Sequence, residues 1–201
     1  MSIKSYFTGR YSLSKPWPLI SDFLFAVLIV MLVIPSTRSL ILSGVAGVRT
    51  LFSSDGSKGP AAPLDAEDWS WQLTDMQGRT VPFSEFRGEV IFLNQWATWC
   101  PPCRAEMPSI EKLFREYGNR ATFVMLTSED PAKVREYMNR HGYTFPVWLG
   151  AVRGAGLRTG TIPATAVISR KGELVMARKG AFNWHARKVR KLMDRLIGEP
   201  R

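Results

Sequence analysis

The sequence is poor in the side chains that bind metal ions, with two cysteines and two histidines among 201 residues. The histidines, His141 and His185, lie far from each other and from the cysteines, without metal-ligand spacing. Because a structural zinc site takes about four nitrogen or sulfur ligands, the composition argues against zinc. We predict that the protein binds no metal and needs no cofactor.

The sequence also lacks internal repeats and any nucleic-acid-binding motif, although its formal net charge is +10. Residues 1–59 contain six basic and two acidic residues, so residues 60–201 carry a net charge of +6. Much of the positive charge lies near the C-terminus, at Arg178, Lys179, Arg187, Lys188, Arg190, Lys191 and Arg195. We interpret these residues as a solvated surface, with docking to an acidic partner or anionic lipid as the alternative, and predict no nucleic-acid partner.

The two cysteines form the motif Cys100-Pro101-Pro102-Cys103 between a strand-like run at 89–97 and a helix-like run at 104–117. The start of a helix stabilises a thiolate, and prolines are tolerated at the first two helical positions. We therefore predict that Cys100, with a pKa below the ~8.5 of a free thiol, is the exposed attacking nucleophile. Cys103, less exposed, would resolve the mixed disulfide. Half of a zinc site and a structural disulfide are the alternatives, but a stabilising disulfide usually closes a longer loop.

An apolar run of twelve residues, 23–34, follows the basic residues Lys4, Arg10 and Lys15. Twelve residues are fewer than the ~20 that span a membrane and fit a signal-peptide core, so length alone does not decide between the two. We predict an uncleaved signal anchor in residues 1–50 with a cytoplasmic tail, because apolar residues can extend the run on both sides. A cleaved signal peptide and a buried soluble helix are the alternatives. A signal anchor and a cleaved signal peptide would both export the cysteines to an oxidising compartment.

The composition changes at residues 51–63, where glycine, serine and proline predict a flexible linker. Residues 64–201 are long enough to bury one hydrophobic core. Apolar patterns in this domain predict strands at 69–74, 80–83, 90–96, 121–127, 146–149, 164–169 and 173–179, and helices at 104–117, 131–141 and 183–197. The first two strands form an opening hairpin, and the whole pattern predicts an α/β sheet with helices on both faces.

Residues 94–108, which read Asn-Gln-Trp-Ala-Thr-Trp-Cys-Pro-Pro-Cys-Arg-Ala-Glu-Met-Pro, resemble the thioredoxin fold and, within it, the TlpA/ResA-like branch. The similarity extends over residues 64–201 and implies a mixed sheet flanked by helices, with an N-terminal hairpin extension. It also implies a helix kink at Pro108 and aromatic residues beside the site at Trp96 and Trp99. In the loop Thr161-Ile162-Pro163, it implies a cis bond before a proline that faces the disulfide.

The resemblance also implies roles for single residues. Cys100 and Cys103 would form the redox-active disulfide, and Glu106 would handle the proton of Cys103. Cytosolic thioredoxins use a buried aspartate for that task, at the position where this chain has Asn94, which cannot titrate. For Glu106 the alternative is an ordinary exposed helix carboxylate.

Four residues are expected to contact substrate, and one to gate it. The expected substrate-binding residues are Trp99, Pro101, Pro102 and Ile162. Pro163 would shield the sulfurs, while the Ile162 backbone pairs with an extended substrate strand. A plain turn proline is the alternative for Pro163.

The branch implies an exported, membrane-tethered thiol-disulfide oxidoreductase that reduces disulfides in exported proteins, including apocytochrome c. Its expected partners are these proteins and a membrane electron donor. Its expected location is the cytoplasmic membrane, with a single span and the catalytic domain on the periplasmic side. A disulfide-forming oxidase and a copper-binding thiol module stay open as alternatives, whereas a peroxidase is disfavoured because the Thr-x-x-Cys signature is missing.

The predicted anchor can be tested by alkaline extraction of membranes. The full-length protein should stay in the membrane pellet, because a spanning helix is held by its apolar surface rather than by charge. A shortened soluble form that begins near Gly47 would establish the cleaved signal peptide instead.

Overall fold

The computed structural model describes residues 62–152, Leu157 and residues 160–200, together with Asp22 and Phe25. Contacts divide the chain into two units, Met1–Leu42 and Ser43–Arg201, and nearly all described residues belong to the second. The predicted anchor and most of the predicted linker lie outside the described residues. Within the described part of the chain, no helix has the length and apolar composition to cross a membrane.

Strands and helices alternate along most of the described chain. In chain order they are β1 (Ala62–Pro63), α1 (Ala66–Ser70), β2 (Gln72–Asp75), β3 (Thr80–Pro82), a 3-10 turn (Phe83–Phe86), β4 (Ile91–Gln95), α2 (Pro101–Tyr117), β5 (Thr122–Thr127), α3 (Pro131–His141), β6 (Val147–Leu149), β7 (Ala164–Ile168), β8 (Glu173–Lys179) and α4 (Arg187–Gly198).

The described strands form one sheet in the order β1-β8-β7-β4-β5-β6-β2-β3. Strands β4, β5 and β6 run parallel to one another, and the remaining neighbours are antiparallel. The predicted mixed sheet is therefore confirmed. The predicted hairpin is β2-β3, which extends the sheet beyond β6.

Alternation along β4 separates the two faces of the sheet, because successive side chains of a strand point to opposite sides. Phe92 belongs to one buried cluster, which also takes residues from α2, α3 and α4. Ile91 and Leu93 belong to the other cluster, which takes its helical residues from α1 and the 3-10 turn. Thus the three long helices bury side chains on one side of the sheet, and the short helix α1 and the 3-10 turn pack on the opposite side.

Two of the boundaries that differ from the prediction have an identifiable physical reason. The first predicted strand begins at Gln72 rather than at residue 69, because Asp65 and Asp68 form a capping box that starts α1. The last helix begins at Arg187 rather than at residue 183. The preceding segment turns instead, and this turn places Trp184 in the core, where it is fully buried.

Candidate active site

The cysteine pair lies where β4 ends and α2 begins. Cys100 is the N-cap of α2, Pro101 and Pro102 take the first helical turn, and Cys103 donates its backbone N–H to the Cys100 sulfur at 3.3 Å. The two cysteines form a disulfide, with their Cα atoms 5.3 Å apart. The predicted helix-start position of Cys100 is confirmed.

The predicted exposure of Cys100 is wrong for the disulfide form. Cys100 is 3% exposed and Cys103 is 0% exposed, because both pack into the cluster that contains Trp96 and Ala97. Trp99, by contrast, is 69% exposed, and Pro101 beside it is also exposed. Of the residues predicted to contact substrate, these two offer the most accessible surface beside the disulfide.

Glu106 lies one helical turn after Cys103 and is buried, with 1% of its surface exposed. The carboxylate accepts hydrogen bonds from Asn94 Nδ2 at 2.7 Å, Trp184 Nε1 at 2.9 Å and the Phe182 N–H at 3.2 Å. Burial raises the pKa of Glu106 to about 7, although these hydrogen bonds and the charge of Arg178 act in the opposite direction. The alternative of an exposed helix carboxylate is therefore wrong.

The loop that contains Ile162 and Pro163 reaches the same end of the sheet. Strand β7 begins at Ala164, which pairs with Gln95 at the end of β4, so the residues before β7 and those after β4 leave the sheet together. The Ile162–Pro163 bond is cis, Pro163 is buried, and Ile162 packs against the cluster that holds both cysteines. The structure thus brings this loop close to the redox pair.

Comparison with known proteins agrees with this arrangement. Residues 55–196 match the model of the Redoxin family. The chain belongs to the redoxin family. It is 30% identical over 146 residues to the thiol-disulfide oxidoreductase ResA of Bacillus cereus. The aligned region covers 70% of this chain and 83% of that protein. A ResA of Halalkalibacterium halodurans is 33% identical over 116 residues, or 55% of this chain and 65% of that protein.

A solved structure gives the same result. A thiol:disulfide interchange protein from Chlorobium tepidum superimposes on this redoxin with a TM-score of 0.57 and 25% identity, over 71% of this chain and 100% of that one. The predicted thioredoxin fold, ResA-like kinship and thiol-disulfide oxidoreductase class are therefore confirmed.

One residue of the redoxin's site was missed by sequence reasoning. Glu129 follows β5, and its carboxylate accepts hydrogen bonds from both the N–H and the hydroxyl of Thr98, the latter at 2.8 Å. Because Thr98 is two residues before Cys100, Glu129 fixes the loop that leads into the motif. The signal was available, since parallel neighbours such as β4 and β5 end at the same edge of a sheet.

The donors around Glu106 were also missed, since Asn94 was singled out only as a residue that cannot titrate. Trp184 and Phe182 lie more than seventy residues away in the sequence, Trp184 inside the predicted helix 183–197 and Phe182 just before it. Gln95 donates its side-chain N–H to the carbonyl of Leu157 at 3.2 Å. Gln95 therefore ties the end of β4 to the loop between β6 and β7.

The raised pKa of Glu106 predicts a pH-dependent stability. The folded protein keeps this proton up to about pH 7, whereas the unfolded chain loses it near 4.5. Since the folded state binds the extra proton between these values, the free energy of unfolding should fall by roughly 3 kcal/mol as the pH rises through this window. Glu106→Gln cannot titrate, so the oxidised variant should lack this component in urea unfolding at a series of pH values.

The exposed carboxylate of Glu85 provides a matched control. Glu85→Gln should follow the wild-type profile. Parallel profiles for wild type and Glu106→Gln would mean that Glu106 loses its proton at the same pH in the folded and the unfolded protein.

Proposed function

We propose that this redoxin is an exported, membrane-tethered reductase of protein disulfides, with apocytochrome c among its candidate substrates. The observation that carries the proposal is a cysteine pair at a helix start with a buried carboxylate one turn further along the helix. The N-terminal segment would anchor the protein in the cytoplasmic membrane, with the redox domain on the periplasmic side. A membrane electron donor would return the disulfide to the dithiol.

The reaction needs two thiols and moves two electrons. The Cys100 thiolate attacks one sulfur of the substrate disulfide, and the other substrate sulfur leaves as a thiolate and takes up a proton. The Cys103 thiol loses its proton and attacks Cys100, which releases the second substrate thiol and forms the Cys100–Cys103 disulfide. Glu106 suits the proton transfer from Cys103, because a group with a pKa of about 7 is half protonated near neutral pH.

The surroundings of Cys100 favour the reducing direction over the oxidising one. A strong oxidant stabilises its reduced, thiolate form. Here Pro101 and Pro102 have no N–H group that could donate to the Cys100 sulfur and stabilise its thiolate. Among the described residues, the Cys103 N–H is the donor to this sulfur. A negative charge on Glu106 would further disfavour a thiolate nearby. A reductase is therefore better supported than an oxidase.

The copper-binding alternative has less support. His185 Nε2 lies 2.8 Å from Glu116, and His141 Nδ1 lies 2.8 Å from the carbonyl of Tyr137, so both histidines have partners away from the cysteine pair.

The direction can be measured by equilibrating the protein with glutathione buffers. The reduction potential should lie nearer to that of thioredoxin, about −270 mV, than to that of a strong oxidant, about −120 mV. A value close to the oxidant would reverse the assigned direction while preserving the disulfide chemistry.

The two cysteines should fail in different ways when each is replaced. Cys100→Ser should abolish reduction of protein disulfides, because it removes the attacking sulfur. Cys103→Ser should accumulate mixed disulfides with substrate proteins, since attack proceeds without resolution. Non-reducing gels after acid quenching would show these adducts. Adducts on the Cys100→Ser protein would exchange the two roles.

A further inference from the structure

A groove with a volume of about 260 Å³ opens beside the cysteine motif. Thr98 and Arg104 line one side; Thr98 lies two residues before Cys100, and Arg104 directly follows Cys103. The opposite side is formed by α3, through Lys133, Glu136, Tyr137, Arg140 and His141. We call this the basic groove, defined by these seven residues. Each water occupies roughly 30 Å³ in the liquid, so the groove has room for side chains of a partner.

The α3 side of the basic groove is a single helix face. Lys133, Tyr137 and Arg140 are spaced by four and three residues, which places them on the same side of an α-helix. Tyr137 is buried, and its ring lies 5.7 Å from that of Trp96 in the loop before the motif. The groove is thus built on packed elements, in contact with the loop that carries Cys100.

The charges that line the basic groove do not balance. Arg104, Lys133 and Arg140 are exposed and positive, and Glu136 is the acidic residue of the lining. Glu136 forms an ion pair with Arg140. This leaves the lining with an excess of positive charge, contributed by Arg104 and Lys133.

Two carboxylates lie beside the lining without being part of it, and their negative charge reduces this excess. Glu129 accepts hydrogen bonds from Thr98, and Asp130 caps the start of α3 by accepting hydrogen bonds from the N–H groups of Ala132 and Lys133. Arg104, which directly follows Cys103, supplies the positive charge on the motif side, so a substrate segment in the groove would meet this charge beside the disulfide.

We propose that the basic groove binds an acidic segment of the protein substrate, close to the substrate cysteine that Cys100 attacks. This proposal rests on the proposed reductase function and adds a substrate class to it. Charges arranged around a reaction site raise the rate of productive encounter with ligands of the opposite sign by tenfold or more, and salt screens this effect. The basic groove would accordingly select disulfides with aspartate or glutamate nearby.

The experiment uses the full-length reduced protein in detergent and three peptides that share one disulfide and differ in its flanks. The flanks are acidic, neutral or basic, and kcat/KM is measured at low and at high salt. At low salt the acidic peptide should react about tenfold faster than the basic one, and high salt should remove most of the difference.

Charge reversal at Lys133 tests whether the basic groove causes the preference. Lys133→Glu should lower kcat/KM for the acidic peptide and raise it for the basic one. The matched control is Lys191→Glu, an exposed lysine on α4 that changes the net charge equally. The control should retain the wild-type order of the three peptides.

Each contrary result has a separate meaning. Equal rates for the three peptides at low salt would overturn the groove proposal and leave the reductase function standing. The same change of preference in Lys191→Glu would assign the effect to net charge and also overturn the groove. A failure to reduce any of the peptides would overturn the reductase function and, with it, the proposal that depends on it.

Discussion

A buried carboxylate connects the parts of this redoxin that must meet at the redox site. Glu106 lies on α2 and accepts hydrogen bonds from Asn94 on β4 and from Trp184 and Phe182 just before α4. Removing a carboxylate from water is unfavourable unless its oxygens find donors. The cysteine-bearing helix, the central strand and the C-terminal segment must therefore assemble together, and the disulfide is positioned by the same set of contacts.

Asn94 has a specific place in this assembly. Its side-chain amide donates to Glu106 and, at 2.8 Å, to Thr165, its pairing partner on β7. An aspartate at this position would place a second carboxyl group against Glu106, and two adjacent carboxylates resist ionising together. An asparagine instead supplies donors and leaves one titratable group beside Cys103. The buried carboxyl group therefore lies on the helix, at Glu106, and its neighbour on the strand, Asn94, is neutral.

Local signals were sufficient to predict much of the fold and the redox pair. Prolines after Cys100 fix the start of α2, and the strand-like run at residues 90–96, which opens with four consecutive apolar residues, predicts a buried strand. The burial of Glu106 could not be read in this way, because its donors Trp184 and Phe182 come from a distant turn. The start of the first strand was predicted three residues too early, because the local capping of α1 by Asp65 overrode an apolar alternation.

The position of Trp184 explains why the last helix starts later than its periodicity predicts. A helix that began at residue 183 would direct the Trp184 N–H along the helix axis and leave it without an intrahelical partner. In the structure the segment turns, so that the Phe182 N–H and the Trp184 indole both reach the Glu106 carboxylate, while the Trp184 N–H donates to Ser109 Oγ at 3.0 Å. Three donors from one short turn thus bind two residues of α2, Glu106 and Ser109.

Helical propensity amounts to less than about 1 kcal/mol per residue, whereas each unsatisfied buried polar group costs about 1–3 kcal/mol. The need to satisfy the buried carboxylate therefore sets the boundary of α4 and holds α2 in place behind the disulfide.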